Sequence, residues 1–330
     1  MEGNMDWTVK PLIQMFTSRW VIYPLLVVLL YPLTETAVYS MMSMNGFVID
    51  QPLIPESEIH QGGPPRDGIP SIDDPVFVSL DKASFLKDDD RVLGVSFNGV
   101  SKAYSLSILN YHELVNDVFN KHPVVVSFCP LCGTGMAFDA LNDGKKREFG
   151  VSGLLYNSDL LMYDRQTDSL WSQIEGRAIS GSAKGQRLKR LAVTHTSWKS
   201  WRDHHPNTLV LSQQTGLQRN YLRSPYPDYS NNDAIYFPVS HTDKRYHPKE
   251  VVVGVEIDGK FKAYPFVELA KGTRVLEDMF QGEKLIIEYY AEARSAKVMN
   301  ESKVELPSLT AFWFVWVAFY PESNVYKYIK

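Results

Sequence analysis

The strongest constraint on the fold of this chain is that it repeats itself. "VLGVSFNGVSKAYS" at 92–105 and "VVGVEIDGKFKAYP" at 252–265 agree at seven of fourteen positions without a gap. Self-similarity of this kind marks one supersecondary module used twice. Each copy alternates apolar and polar residues about a dipeptide, Asn98-Gly99 or Asp258-Gly259. Such dipeptides suit a tight type I′ hairpin, because both central residues need positive φ. Helices are expected next, over "LSILNYHELVNDVF" (106–119) and "FVELAKGTRVLEDMF" (266–280), and then the β-branched strands "PVVVSF" and "KLIIEYY". The expected fold class is therefore α+β, with mostly antiparallel pairing and two related hairpin-helix-strand modules at about 91–139 and 251–298.

The copies differ where chemistry is concentrated. The first ends its strand in "SFCPLCGTGMAFD", which holds the only two cysteines of the chain, Cys129 and Cys132; the second ends in Tyr289 and Tyr290. Three readings of the pair stay open. A thioredoxin-like thiol needs a helix N-terminus to lower its pKa, and Gly133, Thr134 and Gly135 are a poor helix start. A redox role then needs another source of activation, and His112, on the presumed helix leading into the cysteine strand, is placed to take a thiol proton. As a metal site, C-P-x-C-G is half of a zinc knuckle, so His112, His195 or His241 would have to add ligands. Thiolates also suit copper(I), with Met136 or Met162 as thioether partners. The third reading is a small disulfide, or two reduced core cysteines. Glu113, Asn116 and Asp117 stand beside His112 as supporting polar groups, although helix caps explain them equally well.

The insert between the copies, "YNSDLLMYDRQTDSLWSQ" at 156–173, gathers Asn157, Asp159, Met162, Asp164, Arg165, Trp171 and Gln173, and these are pocket candidates. Asp159 and Asp164 are spaced for paired-carboxylate work of the glycosidase kind with Trp171 stacking on a sugar. The same stretch is also good hairpin-turn sequence. "THTSWKSWRDHHPNT" at 194–208 reads as a short capped helix with Trp198 and Trp201 in the core. "LTAFWFVWVAFY" at 309–320 is too short to span a bilayer and reads as a buried element.

The N-terminal region reads as a short cytoplasmic leader (1–19), a signal anchor or signal peptide (20–43) and a Pro/Gly-rich tether (44–75) ahead of a single globular domain (76–330). Lys10 and Arg19 precede the apolar run from Trp20 to Leu33, and the next cation is Arg66, a positive-inside pattern. The expected topology is N-in and C-out, with the globular part extracytoplasmic, or secreted if the segment is cleaved. A hydrophobic content of 44% gives the domain material for a large core, while a net charge of -4 and the lack of a basic cluster exclude a nucleic-acid partner. No phosphate-binding G-x-x-x-x-G-K-[ST], no G-x-S-x-G elbow and no H-E-x-x-H is present.

"GGPPRDGIPSIDDPVF", "KAYSLSILNYHELVND", "SFCPLCGTGMAFD", "GVSGLLYNSDLLMYDRQTDSLWSQIEGRAISG" and "VVVGVEIDGKFKAYPF" together resemble the uncharacterised family known as domain of unknown function 3179, over roughly residues 62–326. The resemblance implies a bacterial or archaeal type of protein, often with an export or anchor segment. Its hallmarks are the C-P-x-C and H-E-x-V-N-D blocks, and some members are labelled selenoproteins, which favours redox chemistry at the cysteines. The resulting expectation is a thiol-based oxidoreductase using Cys129, Cys132 and His112, with an unknown thiol or electron partner and the membrane as a second partner. The alternative is a protein binding a soft metal, zinc or copper, through the same three residues. A scaffold with a structural disulfide comes third.

Overall fold

A computed structural model describes residues 43–329. The leader at 1–19 and the anchor expected over 20–43 lie outside the described residues up to Ser43. Among the described residues no helix is long and apolar enough to cross a membrane.

The α+β expectation is overturned. The fold is mostly β, with five sheets of three to five strands arranged as the blades of a β-propeller. Its α-helices, α1 (Leu106–His112), α2 (Trp198–His204), α3 (Phe266–Leu269) and α4 (Trp313–Phe319), are four to seven residues long. The helix expected over 106–119 stops at His112, because Glu113 takes φ +57 and the chain turns into the strand Leu114–Phe119. In the second copy α3 ends at Leu269 and the strand Val275–Phe280 follows. "LVNDVF" and "VLEDMF" alternate well enough to serve as strands, and pairing with the next strand supplies the backbone bonds a longer helix would have supplied.

Blade one carries the first hairpin, Arg91–Phe97 and Val100–Ser105, flanked by Thr194–Ser197 on one edge and by Leu209–Leu211 and Phe77–Ser79 on the other. Blade two is the meander Leu114–Phe119, His122–Cys129 and Thr134–Asp139, with Arg190–Leu191 at its edge. Blade three is built on the hairpin Phe149–Tyr156 and Asp159–Asp164. Blade four carries the second hairpin, Val251–Ile257 and Lys260–Pro265, and blade five the meander Val275–Phe280, Glu283–Tyr290 and Ser295–Asn300. Both hairpins turn as the dipeptides require, with φ of 48 and 74 at Asn98 and Gly99 and 49 and 70 at Asp258 and Gly259.

The correspondence between the copies extends past the stretch legible in sequence. In each, a later strand, a seven-residue helix and a strand parallel to the hairpin's second strand return to the hairpin: Thr194–Ser197, α2 and Leu209–Leu211 in one, Leu309–Phe312, α4 and Asn324–Val325 in the other. The indole of Trp201 lies against Gly94 and that of Trp316 against Gly254, so close that a Cβ at either glycine would collide with the ring. Each copy also carries one ion-paired lysine on the second strand of its hairpin, buried in the first copy and half-buried in the second. Lys102 Nζ binds Asp117 at 2.7 Å with the Tyr104 hydroxyl on the same carboxylate, and Lys262, Asp278 and Tyr264 repeat the set.

The stretch 44–75 corrects the tether expectation. Phe47, Ile49, Ile54 and Ile59 are buried against Leu154, Leu161, Tyr163 and Leu170. Ile59–Gln61 adds a fifth strand to blade three, so the packed domain begins well before residue 76. Burial of four large apolar side chains outweighs the flexibility that the prolines and glycines suggest.

Candidate functional site

The alternation of one strand decides where the cysteines point. Along His122–Cys129, Val124, Val126 and Phe128 face the core shared with blade one, while Val125 and Cys129 face the core shared with blades three and four. Cys129-Pro130-Leu131-Cys132-Gly133-Thr134 then closes a tight turn, with Cys132 N–H donating to Cys129 O at 3.2 Å and Cys129 paired opposite Thr134. Gly133 sits at φ +64 with its Cα face against the Phe312 ring, and Phe312 N–H donates to Cys132 O at 2.9 Å. Both thiols are free and buried, and neither lies at a helix N-terminus.

Blade three supplies the third group. Its hairpin turns at Asn157 and Ser158, both at positive φ, and delivers the Ser158 carbonyl and the Asp159 side chain to the cysteines. Cys132 Sγ–H donates to Ser158 O at 3.1 Å, and Cys129 Sγ lies 3.8 Å from the same oxygen. The two sulfurs and an Asp159 carboxylate oxygen lie within 4.8 Å of one another, a spacing that suits three ligands of one metal ion. Asp159 is held by the Ile174 N–H at 3.2 Å and by Thr134 Oγ1 at 3.4 Å. Thr134 donates to Gln173 at 2.9 Å, and Gln173 in turn donates to Ser127 at 2.9 Å.

The electrostatics of the centre are one-sided. Burial pushes Asp159 up to about 7 and Glu113, with the Asp159 charge adding to burial, up to about 8. Burial also raises both thiols, Cys132 well above its ordinary value, with Asp159 adding in each case and Glu113 at Cys129. The largest influences on these four groups are burial, backbone hydrogen bonds and one another, and no cation stands among them. Four acids share one buried region, and none of them is ion-paired with a Lys, Arg or His among the described residues.

The other sequence-predicted residues separate from this centre. His112 is turned away: Nδ1 meets Pro70 O at 2.9 Å and Nε2 the Tyr221 hydroxyl at 2.7 Å, so both ring nitrogens are engaged by the 44–75 stretch and by the stretch between Leu211 and Val251. Its neighbour Glu113 is buried close enough to Cys129 for its charge to act on the thiol. His195 bonds the backbone of Gly135 and is held down to about 4 by burial, while His241 is exposed and bonds Ser240. Asp164 lies on the opposite face of its strand from Asp159 and is bound by Arg147, Thr167 and Trp171 Nε1, which removes the paired-carboxylate geometry and occupies Trp171 structurally. Arg165 pairs with Asp73 and Ser71, Asn157 bridges Ala318 O and the Ser240 N–H, and Met162 and Met136 pack in the core. Asn116 ties Asp73 to Phe149, and Asp117 belongs to the Lys102 pair. A cavity of about 590 Å³ lined by Lys199, His204, Arg274, Tyr289 and Tyr290 contains none of the predicted residues.

Sequence reasoning missed Tyr226 and Tyr229. They come from the stretch between Leu211 and Val251, which holds no strand and only the 3-10 turn Tyr229–Asn231, and whose Ile235, Phe237 and Val239 also pack against the cluster that holds the cysteines. Tyr229 is packed in one cluster with both cysteines, and Tyr226 packs against that cluster. Its only sequence signal is an aromatic residue in an Asp/Asn-rich loop.

A family model described as "Protein of unknown function (DUF3179)" matches residues 66–306. No curated protein and no solved structure matches the chain.

Proposed function

The chain belongs to the DUF3179 family, whose description assigns no activity, and from the geometry of its cysteine centre we propose that it is a metal-binding protein that holds one zinc ion through Cys129, Cys132 and Asp159. The observation that carries the reading is the cluster itself: two thiols and Asp159 present ligand atoms within 4.8 Å of one another, buried with Glu113 nearby and with no ion pair to a Lys, Arg or His among the described residues. Buried acids in that arrangement stay protonated unless a cation enters, and a divalent ion both deprotonates the thiols and neutralises the group. Two thiolates select a soft or borderline ion, and the carboxylate beside them favours zinc over copper(I).

The same features weigh against the thiol oxidoreductase reading. A nucleophilic thiolate needs a depressed pKa and access, whereas here burial and acid neighbours raise both thiols. His112, the base in that reading, is bonded elsewhere. The proposal includes export: the apolar run from Trp20 to Leu33 behind Lys10 and Arg19 supports an anchor with the domain outside. A reporter fused after Lys330 tests that part, and activity of a cytoplasm-only reporter there would refute it.

Elemental analysis of full-length protein purified without chelators tests the site. About one equivalent of zinc is expected, absent from Cys132→Ser and Asp159→Asn. Lack of metal as purified, together with no stoichiometric zinc uptake by the reduced protein, would sink the proposal.

A further inference from the structure

Three protein donors leave a tetrahedral zinc ion one position short, and such an open position is where exogenous ligands bind. Close to the same place the protein leaves a second valence unmet. The Tyr229 hydroxyl is buried and has no hydrogen-bond partner, although buried hydroxyl groups are nearly always paired. The residue is 2% exposed and shares its apolar cluster with Cys129 and Cys132. Its hydroxyl lies within electrostatic range of Cys132 first and Cys129 second.

The loop that carries this tyrosine is not loose. Lys249, itself buried, donates from Nζ to the carbonyls of Tyr229, Asn232 and Ala234 at 2.8–2.9 Å. Its ammonium also stands 3.7 Å from the centroid of the Tyr229 ring. The lysine therefore holds the ring in place and polarises it toward donation, since a cation over the face withdraws electron density from the phenol.

Resting on the zinc reading above, we infer that the two unmet valences are answered by one atom: a small exogenous Lewis base, water at rest, occupies the fourth metal position and accepts a hydrogen bond from the Tyr229 hydroxyl. Two thiolates and a carboxylate already exceed the charge of a divalent ion, so the resting occupant is water rather than hydroxide, and a small anion displaces it only at high concentration. Tyr226, Tyr229, Phe237 and Val239 of the loop from 212 to 250 pack in or against the cluster that holds the buried thiols, and such burial favours a ligand of a few atoms. Tyr229 is thus a positioning residue for the bound ligand and not a metal donor.

Cobalt(II) in place of zinc makes the position visible, and azide is the probe. Full-length cobalt-loaded protein should show a saturable change in its visible bands on azide addition. Tyr229→Phe should bind azide about tenfold more weakly or worse, the loss of one hydrogen bond to a charged acceptor, while its cobalt affinity stays within about threefold. Tyr290→Phe, in the matching turn of the other copy, should leave both unchanged. Thermal unfolding of each variant establishes that it is folded. No azide response in the native protein overturns the inference, as does equal azide affinity in Tyr229→Phe. A loss of cobalt affinity of about tenfold or more in a folded Tyr229→Phe overturns it too, because the phenol would then be a fourth protein donor. Failure of the native protein to take cobalt or zinc at all is a different result, and it removes the zinc reading itself.

Discussion

The same six-residue turn occurs twice among the described residues, and only one copy holds cysteines. Cys129 to Thr134 closes the second and third strands of blade two, and Tyr290 to Ser295 closes the corresponding strands of blade five, paired end to end in the same register. The backbones agree even at the fifth position, where Gly133 has φ +64 and Arg294 has φ +43. Their surroundings do not agree. Blade three and the 212–250 loop bury the first turn, whereas Ala291, Glu292 and Arg294 of the second are exposed. The turn is a scaffold both copies possess, and the centre exists only where a neighbour brings a carboxylate to it.

Four predictions test that contrast, beginning with the largest effect. Lys102 and Asp117 are nearly sealed from solvent, and Lys262 and Asp278 are more open. Lys102→Met should destabilise the fold by about 3–5 kcal/mol in chemical denaturation, the cost of stranding a buried charge, and Lys262→Met clearly less. Equal losses would mean that the copies contribute alike to stability. At the turns themselves, Cys129→Ser should weaken zinc binding by about 100-fold or more, as expected when a ligand and not a supporting group is removed, while Glu292→Ala in the other turn leaves zinc binding unchanged. Competition with a chromogenic chelator reads both.

A pH series sharpens the comparison next. Asp159 and Glu113 have folded-state pKa values raised to about 7 and about 8. The folded metal-free protein therefore holds more protons than the unfolded chain above the ordinary carboxylate range. Its stability should be greatest on the acid side and fall as pH rises from about 5 to about 8. Glu113→Gln should flatten part of that slope, and zinc should reverse its sign, because metal binding releases the protons. A metal-free melting temperature that rises across this range would contradict the buried acid cluster. The smallest effect is conformational. Gly133→Ala should cost about 1–2 kcal/mol at a positive φ against the Phe312 ring, and Arg294→Gly should be neutral or stabilising by about 0.5 kcal/mol.

What the sequence determined by itself was local. Asn98-Gly99 and Asp258-Gly259 specified their hairpins, Ser197 capped a short helix, and C-P-L-C-G specified a turn, because each is set by the φ preferences and hydrogen bonds of adjacent residues. The repeat was legible for the same reason, and it located the cysteine turn as the place where the copies differ. The fold class was not legible: "ELVNDVF" satisfies helical and strand periodicities alike, and the choice fell to the strand partner that only the folded chain provides. Nor was the constellation. Asp159 was one candidate among seven in its segment, and His112 rather than Glu113 was put beside the thiols, because one residue of rotation past α1 decides which side chain comes near them. Tyr229 reaches the centre from about a hundred residues away in sequence, along a loop pinned by Lys249. Ligand sets are assembled by the packing of one blade on another, and no local pattern of residues encodes which faces will meet.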